Sequence, residues 1–150
     1  MIRNMTMDDY DMVFELWANT GNMGLRSLDD SRDGVGAFLK RNPETCFVAL
    51  DGSTVVGSIL CGHDGRRGYI YHTVVRDEYR GRGIGSALVD ATVAALQWEG
   101  ITRVCLNVME RNDAGKRFWI NRGWEKKEFL GFYSRSITDR ENVPLFEVEK

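Results

Sequence analysis

The most informative stretch of this sequence is Tyr79-Arg80-Gly81-Arg82-Gly83-Ile84-Gly85-Ser86. It separates a strand-like run, residues 69–75, from an Ala-, Leu- and Val-rich helical run that ends at Gly100. Glycines at alternate positions let the backbone approach a ligand, and the first N–H groups of the following helix have no partner within that helix. The spacing therefore predicts a strand-to-helix turn that binds a phosphate. Arg80 and Arg82 add positive charge, which favours a pyrophosphate.

Length and composition narrow the possible classes of protein. We expect residues 1–150 to form one domain, since a chain of 150 residues can bury a single core. The 20 basic and 22 acidic residues give a formal charge of −2, so nucleic acid is not an expected partner. No window approaches the roughly 18 apolar residues of a membrane span, and no membrane association is expected.

The cysteine and histidine content predicts a cytoplasmic protein without a metal site. Cys46, Cys61 and Cys105 are odd in number and widely spaced, which indicates reduced core thiols, although a nucleophilic cysteine is the alternative. His63 and His72 are the only histidines, and no cysteine spacing is typical of a metal site.

Hydrophobic periodicity predicts the remaining elements. Asp51-Gly52 is a strong hairpin signal between two apolar runs, and Gly34 and Gly36 weaken the second helix. That helix is either a mobile flap over a pocket or a marginal surface helix. The predicted strands are 1–5, 45–50, 54–61, 69–75, 103–108, 129–137 and 144–148, and the predicted helices follow residue 6 and span 31–41, 84–99 and 112–122.

Two common phosphate-binding motifs do not match the glycine-rich stretch. Its glycines lack the G-x-G-x-x-G spacing of a dinucleotide site, and no Gly-Lys-Ser/Thr follows. Arg80 to Gly85 instead matches an acyl-CoA motif, Arg/Gln-x-x-Gly-x-Gly/Ala, and so resembles the GCN5-related N-acetyltransferase (GNAT) superfamily. Asn112, Phe118-Trp119 and Gly123-Trp124 resemble its later signature. The runs 55–58, 64–68 and 71–72 resemble a small bacterial branch that includes the YpeA-type acetyltransferases.

This resemblance implies the fold and the activity. The fold is α/β (α+β), with a mixed, mostly antiparallel sheet of six or seven strands and about four helices in the order β-α-α-β-β-β-α-β-α-β-β. The activity is transfer of an acetyl group from acetyl-CoA to a primary amine of a small molecule or a protein, by direct attack in a ternary complex. Closing strands in this family often pair across a dimer, so a homodimer is possible. The alternative is a catalytically weak acyl-CoA-binding or sensing module.

The resemblance also implies how the acyl donor is bound. Val74 and Val75 pair with the pantetheine arm like an added strand, while the neighbouring strand splays away. Asn112 hydrogen-bonds the same arm, or acts as a helix N-cap, or does both. Trp119 packs on the thioester end of the cofactor or in the core. The pyrophosphate lies on the turn and the helix N-terminus, formed by Arg80, Gly81, Arg82, Gly83, Ile84, Gly85 and Ser86.

Two catalytic positions of the family pattern are altered in this sequence. Tyr69 stands where some relatives have a glutamate base, and phenol is a poor base at neutral pH. His72 is the candidate base, because imidazole exchanges protons near neutral pH. Strand alternation places His72 on the face opposite Tyr69 and Tyr71, unless a bulge reorients it. The backbone N–H of Val74 is the candidate oxyanion donor.

The acid position also departs from the family pattern. Trp119 stands where relatives commonly have a tyrosine, and Tyr133 is the candidate replacement, with strand packing as the alternative. The thiol of CoA is a fair leaving group, so the change need not abolish turnover. Trp17, Tyr69, Tyr71 and Tyr133 line either an acceptor pocket or the core.

Overall fold

A computed structural model describes residues 1–146 of the chain. The chain packs as two compact units. The first contains Met1–Asn107 and, of the described residues, 142–146, and the second contains Val108–Glu141.

The first unit is built on a mixed sheet whose spatial order follows the chain order, β1-β2-β3-β4-β5. All neighbouring strands are antiparallel except β4 and β5, which are parallel. The predicted mixed and mostly antiparallel sheet is confirmed, with five strands among the described residues instead of six or seven. These strands are β1 (Ile2–Asn4), β2 (Phe47–Asp51), β3 (Thr54–His63), β4 (Gly68–Val75) and β5 (Val104–Leu106).

Four α-helices accompany the sheet among the described residues, as predicted. They are α1 (Tyr10–Ala18), α2 (Arg32–Arg41) and α3 (Ile84–Trp98) in the first unit and α4 (Asp113–Asn121) in the second. Helix α2 forms despite its two glycines, with Ser31 as an N-cap that accepts the Gly34 N–H at 3.0 Å. A Cβ atom at Gly34 would collide with the carbonyl oxygens of Leu28 and Asp29, so the close approach of this loop requires a glycine there.

The predicted closing strands are not formed among the described residues. Residues 129–137 contain no strand, and Phe132, Tyr133 and Ile137 are 74%, 93% and 94% exposed. Alternating apolar residues become a strand only where a neighbouring strand accepts their backbone hydrogen bonds, and no such pairing forms here. Pro144 makes one antiparallel bridge to Arg26, and the rest of the predicted 144–148 strand falls partly on residues outside the described part.

The core covers both faces of the sheet, and β3 is buried on both sides over eight consecutive residues, 55–62. On one face, Val13 and Trp17 of α1 and Val35 of α2 are almost completely buried against the sheet. On the other face α3 packs so closely that a Cβ atom at Gly57 would lie 3.1 Å from Leu88. Helices therefore pack against both faces of the sheet at β3, the strand next to β4.

Two buried thiols belong to this core. Cys46 and Cys61 are inaccessible to solvent, and burial raises the pKa of each thiol to about 12. The Cys61 N–H lies 3.4 Å from the Cys46 sulfur. Both cysteines are free thiols, which agrees with their predicted core role.

An ion pair attaches the first strand to the first helix. Arg3 donates two hydrogen bonds of 2.8 Å to the Asp9 carboxylate, which also accepts the Thr6 N–H at 2.9 Å. Burial opposes ionisation of Asp9, but the Arg3 and Thr6 hydrogen bonds outweigh it and hold the pKa of Asp9 below its ordinary value. Asp9 is thus a buried anion stabilised by its partners.

Candidate active site

The glycine-rich turn lies at the N-terminus of α3 and is open to solvent. Gly81 and Gly83 have φ angles of 77° and 82°, in the left-handed region that favours glycine. A Cβ atom on either residue would meet no atom within 4 Å, so open space lies above the turn. Helix α3 begins at Ile84 without a side-chain cap among the described residues, and its first turn has no acidic residue. This end of the helix is therefore well suited to an anion.

The two arginines of the turn contact the turn itself. Arg80 Nε donates to the Val75 carbonyl at 3.1 Å, and its guanidinium lies 3.1 Å from the Asp77 carboxylate. Arg82 donates to the Glu78 carbonyl at 3.1 Å and stacks over the Tyr79 ring, 5.0 Å from its centroid. Both side chains stabilise the loop that carries the glycines, and their positive charge stays beside the turn.

The edge of β4 next to the turn is open. Strands β4 and β5 pair only between residues 68–70 and 104–106, so residues 71–75 have no strand partner on that side within the described part of the chain. The Thr73 hydroxyl is buried and makes no hydrogen bond with any described residue. An exposed strand edge with an unsatisfied buried hydroxyl fits the extended pantetheine arm that the sequence predicts there. Val74 is buried, and the Val75 carbonyl already accepts the Arg80 hydrogen bond.

A β-bulge interrupts β4 at His72. Tyr71 pairs with Leu60 and Val74 pairs with Ser58, so two residues of β4 oppose the single residue Ile59. His72 has a φ of 42°, which is rare for a residue with a side chain. The extra residue overrides strand alternation and places His72 on the α1 and α2 side of the sheet, the same side as Tyr71. The expectation from alternation alone is wrong for this residue.

The imidazole of His72 is held by an acidic side chain, Asp30, that no sequence pattern indicates. His72 Nε2 lies 2.6 Å from Asp30 Oδ1, and the two side chains are 12% and 6% exposed. The Trp17 ring packs edge-on against the imidazole, with ring centroids 4.8 Å apart. Asp30 lies in the α1–α2 loop, 42 positions from His72 in the sequence, where no periodicity reveals its orientation.

The loop that carries Asp30 is itself tightly bonded. The second carboxylate oxygen of Asp30 accepts the Arg26 N–H at 2.7 Å, and the Asp30 carbonyl accepts the Tyr10 hydroxyl at 2.7 Å. A C-terminal segment closes over the loop, since Ser27 N–H donates to Val143 at 2.9 Å and Leu28 N–H donates to Asn142 Oδ1 at 3.0 Å. Asp30 therefore has little freedom to move away from His72.

Aromatic rings extend the site along β4. Tyr69 and Tyr71 lie 5.1 Å apart, and Phe38 of α2 meets Tyr71 edge-on at 5.8 Å. Tyr71 is 45% exposed, whereas Trp17 is fully buried and donates to the Ser58 hydroxyl at 3.1 Å. Burial raises the pKa of both tyrosines, so less of Tyr69 is in the ionised form that could act as a base near neutral pH. The structure thus assigns Trp17 to the core and leaves Tyr71 as a surface that a ligand can reach.

The other predicted site residues belong to the second unit. Asn112 caps α4, with its side-chain oxygen accepting the Gly115 N–H at 2.9 Å, as in the capping alternative. Trp119 is buried between Phe118 and Trp124, whose ring centroids lie 5.0 and 4.9 Å away. Tyr133 is 93% exposed. Their roles toward a ligand stay predictions.

Neither a membrane-spanning helix nor a cluster of metal ligands occurs among the described residues. In the described residues, none of the helices combines the length and the apolar character that crossing a bilayer requires. Over the same residues, no three His, Cys, Asp or Glu side chains are grouped as metal ligands.

Comparisons with known proteins agree on one family. Residues 9–124 match the model of the acetyltransferase (GNAT) family. An acetyltransferase of Yersinia pestis (strain Pestoides F) is 32% identical over 140 residues, covering 93% of this chain and 98% of its own. A similar relative is an acetyltransferase of Pectobacterium atrosepticum, also 32% identical over 140 residues and with the same coverage of both chains.

Solved structures show the same fold. The PaiA N-acetyltransferase of Thermoplasma acidophilum, solved in complex with coenzyme A, has a TM-score of 0.76 at 18% identity and covers 87% of this chain and 92% of its own. Ard1 from Thermoplasma volcanium has a TM-score of 0.73 at 23% identity, with coverages of 82% and 80%.

Proposed function

This chain belongs to the GNAT family of acyl-CoA-dependent N-acetyltransferases, and we propose that it transfers an acetyl group from acetyl-CoA to a primary amine by direct attack in a ternary complex. One observation carries the proposal. A glycine-rich turn, residues 81–86, lies between β4 and the N-terminus of α3, and β4 has an open edge and carries a histidine in a bulge. The proposed donor site and the proposed proton acceptor thus lie on neighbouring elements of the chain. The YpeA-type branch and the single domain spanning 1–150 stay predictions.

The donor would lie along the turn and the open edge of β4. Backbone N–H groups at the start of α3 bind the pyrophosphate, and Arg80 and Arg82 add charge while they stabilise the loop. The pantetheine arm runs along Val74 and Val75 on the open edge of β4, the strand in which the buried Thr73 hydroxyl has no hydrogen-bond partner among the described residues. Asn112 and Trp119 are further candidates for contact with this arm. Acetyl-CoA supplies the activated thioester, and no metal is proposed.

The acceptor amine reacts on the side of the sheet that His72 faces. The amine nitrogen forms a bond to the thioester carbonyl carbon, and the backbone N–H of Val74 stabilises the oxygen as it becomes negative. The carbon–sulfur bond then breaks and the sulfur leaves as a thiolate. His72 accepts the proton that the nitrogen loses. Holding both reactants together contributes up to roughly 7–11 kcal/mol in ideal geometry.

The thiolate of CoA receives a proton as it departs. Tyr133 is the candidate donor in the second unit, and Trp119 cannot serve because an indole N–H is not a useful acid. Because a thiol ionises at roughly pH 8–9, departure does not depend strongly on an acid. We therefore expect a Tyr133→Phe variant to keep most of its turnover.

The acceptor is proposed to be an amine of a small molecule or a protein. The partly exposed Tyr71 ring, together with Phe38 and Tyr69, offers a flat apolar surface for the group that bears the amine. A homodimer is also proposed, because residues 129–137 expose large apolar side chains that a second copy could cover. The free buried thiols support a cytoplasmic location.

Release of CoA thiol from acetyl-CoA tests the function against a panel of amines and peptide N-termini. We expect release that requires an acceptor and saturates with it. A variant carrying Gly83→Asp should lose donor affinity and serves as the control for nonspecific hydrolysis. Tight CoA binding without acceptor-dependent thiol release would reject the enzyme and favour the acyl-CoA-binding module.

A further inference from the structure

The geometry points to Asp30 as a positioning residue that holds the imidazole of His72 with its hydrogen on Nε2 and leaves Nδ1 to accept the proton of the acceptor amine. This inference rests on the proposed function, because it names the group that prepares the base for that reaction. Its structural part, the tautomer of His72, can be tested without any acceptor.

The short contact between the two side chains fixes the direction of the ring. Asp30 Oδ1 lies 2.6 Å from His72 Nε2, and both groups are nearly inaccessible to solvent. An ionised carboxylate can only accept hydrogen bonds, so Nε2 carries the hydrogen and the lone pair of a neutral ring lies on Nδ1. Among the residues that the structure describes, Nδ1 makes no hydrogen bond. This nitrogen is therefore the one that can take up a proton.

Three groups from different parts of the fold hold Asp30 in place. The Arg26 N–H bonds its other carboxylate oxygen at 2.7 Å, and the Tyr10 hydroxyl of α1 bonds its carbonyl at 2.7 Å. Asn142 accepts the Leu28 N–H at 3.0 Å and donates to Asp29 at 3.1 Å, which fixes the loop from the C-terminal side. These hydrogen bonds are not needed to cap α2, because the Ser31 side chain already does so.

The β-bulge at His72 is a second, independent observation that supports the positioning role of Asp30. His72 has a left-handed φ of 42°, a conformation that costs free energy in a residue with a side chain. The bulge turns the imidazole from the face expected by alternation to the face where Trp17 and Asp30 lie. The backbone strain is thus linked to the same contact that sets the tautomer.

In the reaction His72 takes up one proton beside the Asp30 carboxylate and later releases it. As the amine nitrogen bonds to the carbonyl carbon, its proton moves to Nδ1 and the ring becomes a cation beside the Asp30 carboxylate. The acetyl–sulfur bond breaks with its electron pair on sulfur, and the imidazolium returns the proton to solvent or to the thiolate. The products are the amide and the CoA thiol, with no other reactant.

Long-range nitrogen–hydrogen NMR of the imidazole rings tests the tautomer directly. The chain has only two histidines, so a His63→Gln variant assigns both ring systems. We expect wild-type His72 to show the Nε2–H form, and Asp30→Asn to show a mixture of tautomers. Asp33→Asn is the matched control, since it removes an exposed carboxylate at the start of α2 without changing the His72 contact. An Nδ1–H tautomer in the wild type would overturn the inference, and this reading needs no variant to fold.

Kinetics with a productive amine provide the second measurement. We expect Asp30→Asn to lower kcat about 10- to 100-fold, with the KM for acetyl-CoA changed by less than about threefold. Asn142→Ala should give a smaller loss of kcat, because it loosens the loop but keeps the carboxylate. Equal kcat values for Asp30→Asn and Asp33→Asn in folded, CoA-binding protein would also overturn the inference. An inactive wild type would instead reject the proposed function and leave the tautomer result to judge Asp30.

Discussion

Two glycines at opposite ends of α3 allow a controlled test of the donor site. Gly83 precedes the helix and Gly100 follows it, both have a φ of 82°, and a Cβ atom at either would meet nothing within 4 Å. Alanine at either position should therefore carry the same conformational cost, about 1–2 kcal/mol for a left-handed residue with a side chain. At about 2–4 °C per kcal/mol for a protein of this size, both variants should melt about 2–8 °C below wild type.

Affinity for CoA should separate the two positions. A side chain at Gly83 occupies the space above the turn, and Gly83→Asp also adds a negative charge at the anion site. Loss of one or two charge-assisted hydrogen bonds, about 1.5–3 kcal/mol, raises the Kd for CoA about 10- to 150-fold. Gly100→Asp changes the same residue type at the other helix end and should leave the Kd unchanged. Isothermal titration calorimetry with CoA measures both Kd values. Equal Kd values for the two Asp variants would refute the placement of the donor site at Gly83.

Three further predictions concern stability and reactivity. Asp9→Ala should lower the free energy of unfolding by about 1–3 kcal/mol, because it removes the Arg3 ion pair and leaves the Thr6 N–H unpaired. Since the pKa of Asp9 is lowered in the folded protein, its contribution is present above the ordinary carboxyl value of about 4 and is lost at lower pH. Denaturation from pH 7 to pH 2 should show the two proteins converging, and a constant difference would contradict this. In native protein at pH 8, a thiol reagent should modify only Cys105 of the three cysteines. The reason is that Cys46 and Cys61 are buried, which raises the pKa of each thiol to about 12. Rapid modification of all three thiols without unfolding would contradict the buried core. Asn112→Ala should cost about 1 kcal/mol through loss of the α4 cap, whereas Asn112→Asp keeps the cap. If the Asn112 amide also donates to the pantetheine arm, both variants should weaken CoA binding, and an unchanged Kd in both would leave Asn112 with the cap alone.

Local sequence patterns predicted the parts of the fold that local chemistry determines. The turn from Gly81 to Gly83 needs left-handed residues, and glycine is the residue that adopts them readily. The hairpin at Asp51-Gly52 and the long helix that ends before Gly100 are likewise encoded by turn residues and by apolar spacing. These features need no information about distant parts of the chain.

Long-range contacts explain what the sequence did not predict. The bulge at His72 has no glycine or proline to mark it, and it is stabilised by Asp30, which lies in a loop 42 positions away. The absent strand at 129–137 shows the same limit, because alternation predicts an apolar face but not the neighbour that must pair with it. In the same way, charge alone predicts that Arg80 and Arg82 bind a ligand, whereas their contacts to the Val75 and Glu78 carbonyls depend on the folded turn.

The most direct test follows the acetyl group itself. Acetyl-CoA labelled with carbon-13 in the acetyl group is incubated with the protein and the amine panel, and both the labelled product and the free CoA thiol are quantified. We predict one labelled amide for each thiol released, with no product when the amine is omitted. Label recovered only as acetate, or only as unreacted acetyl-CoA bound to the protein, would contradict the transfer of an acetyl group to an amine.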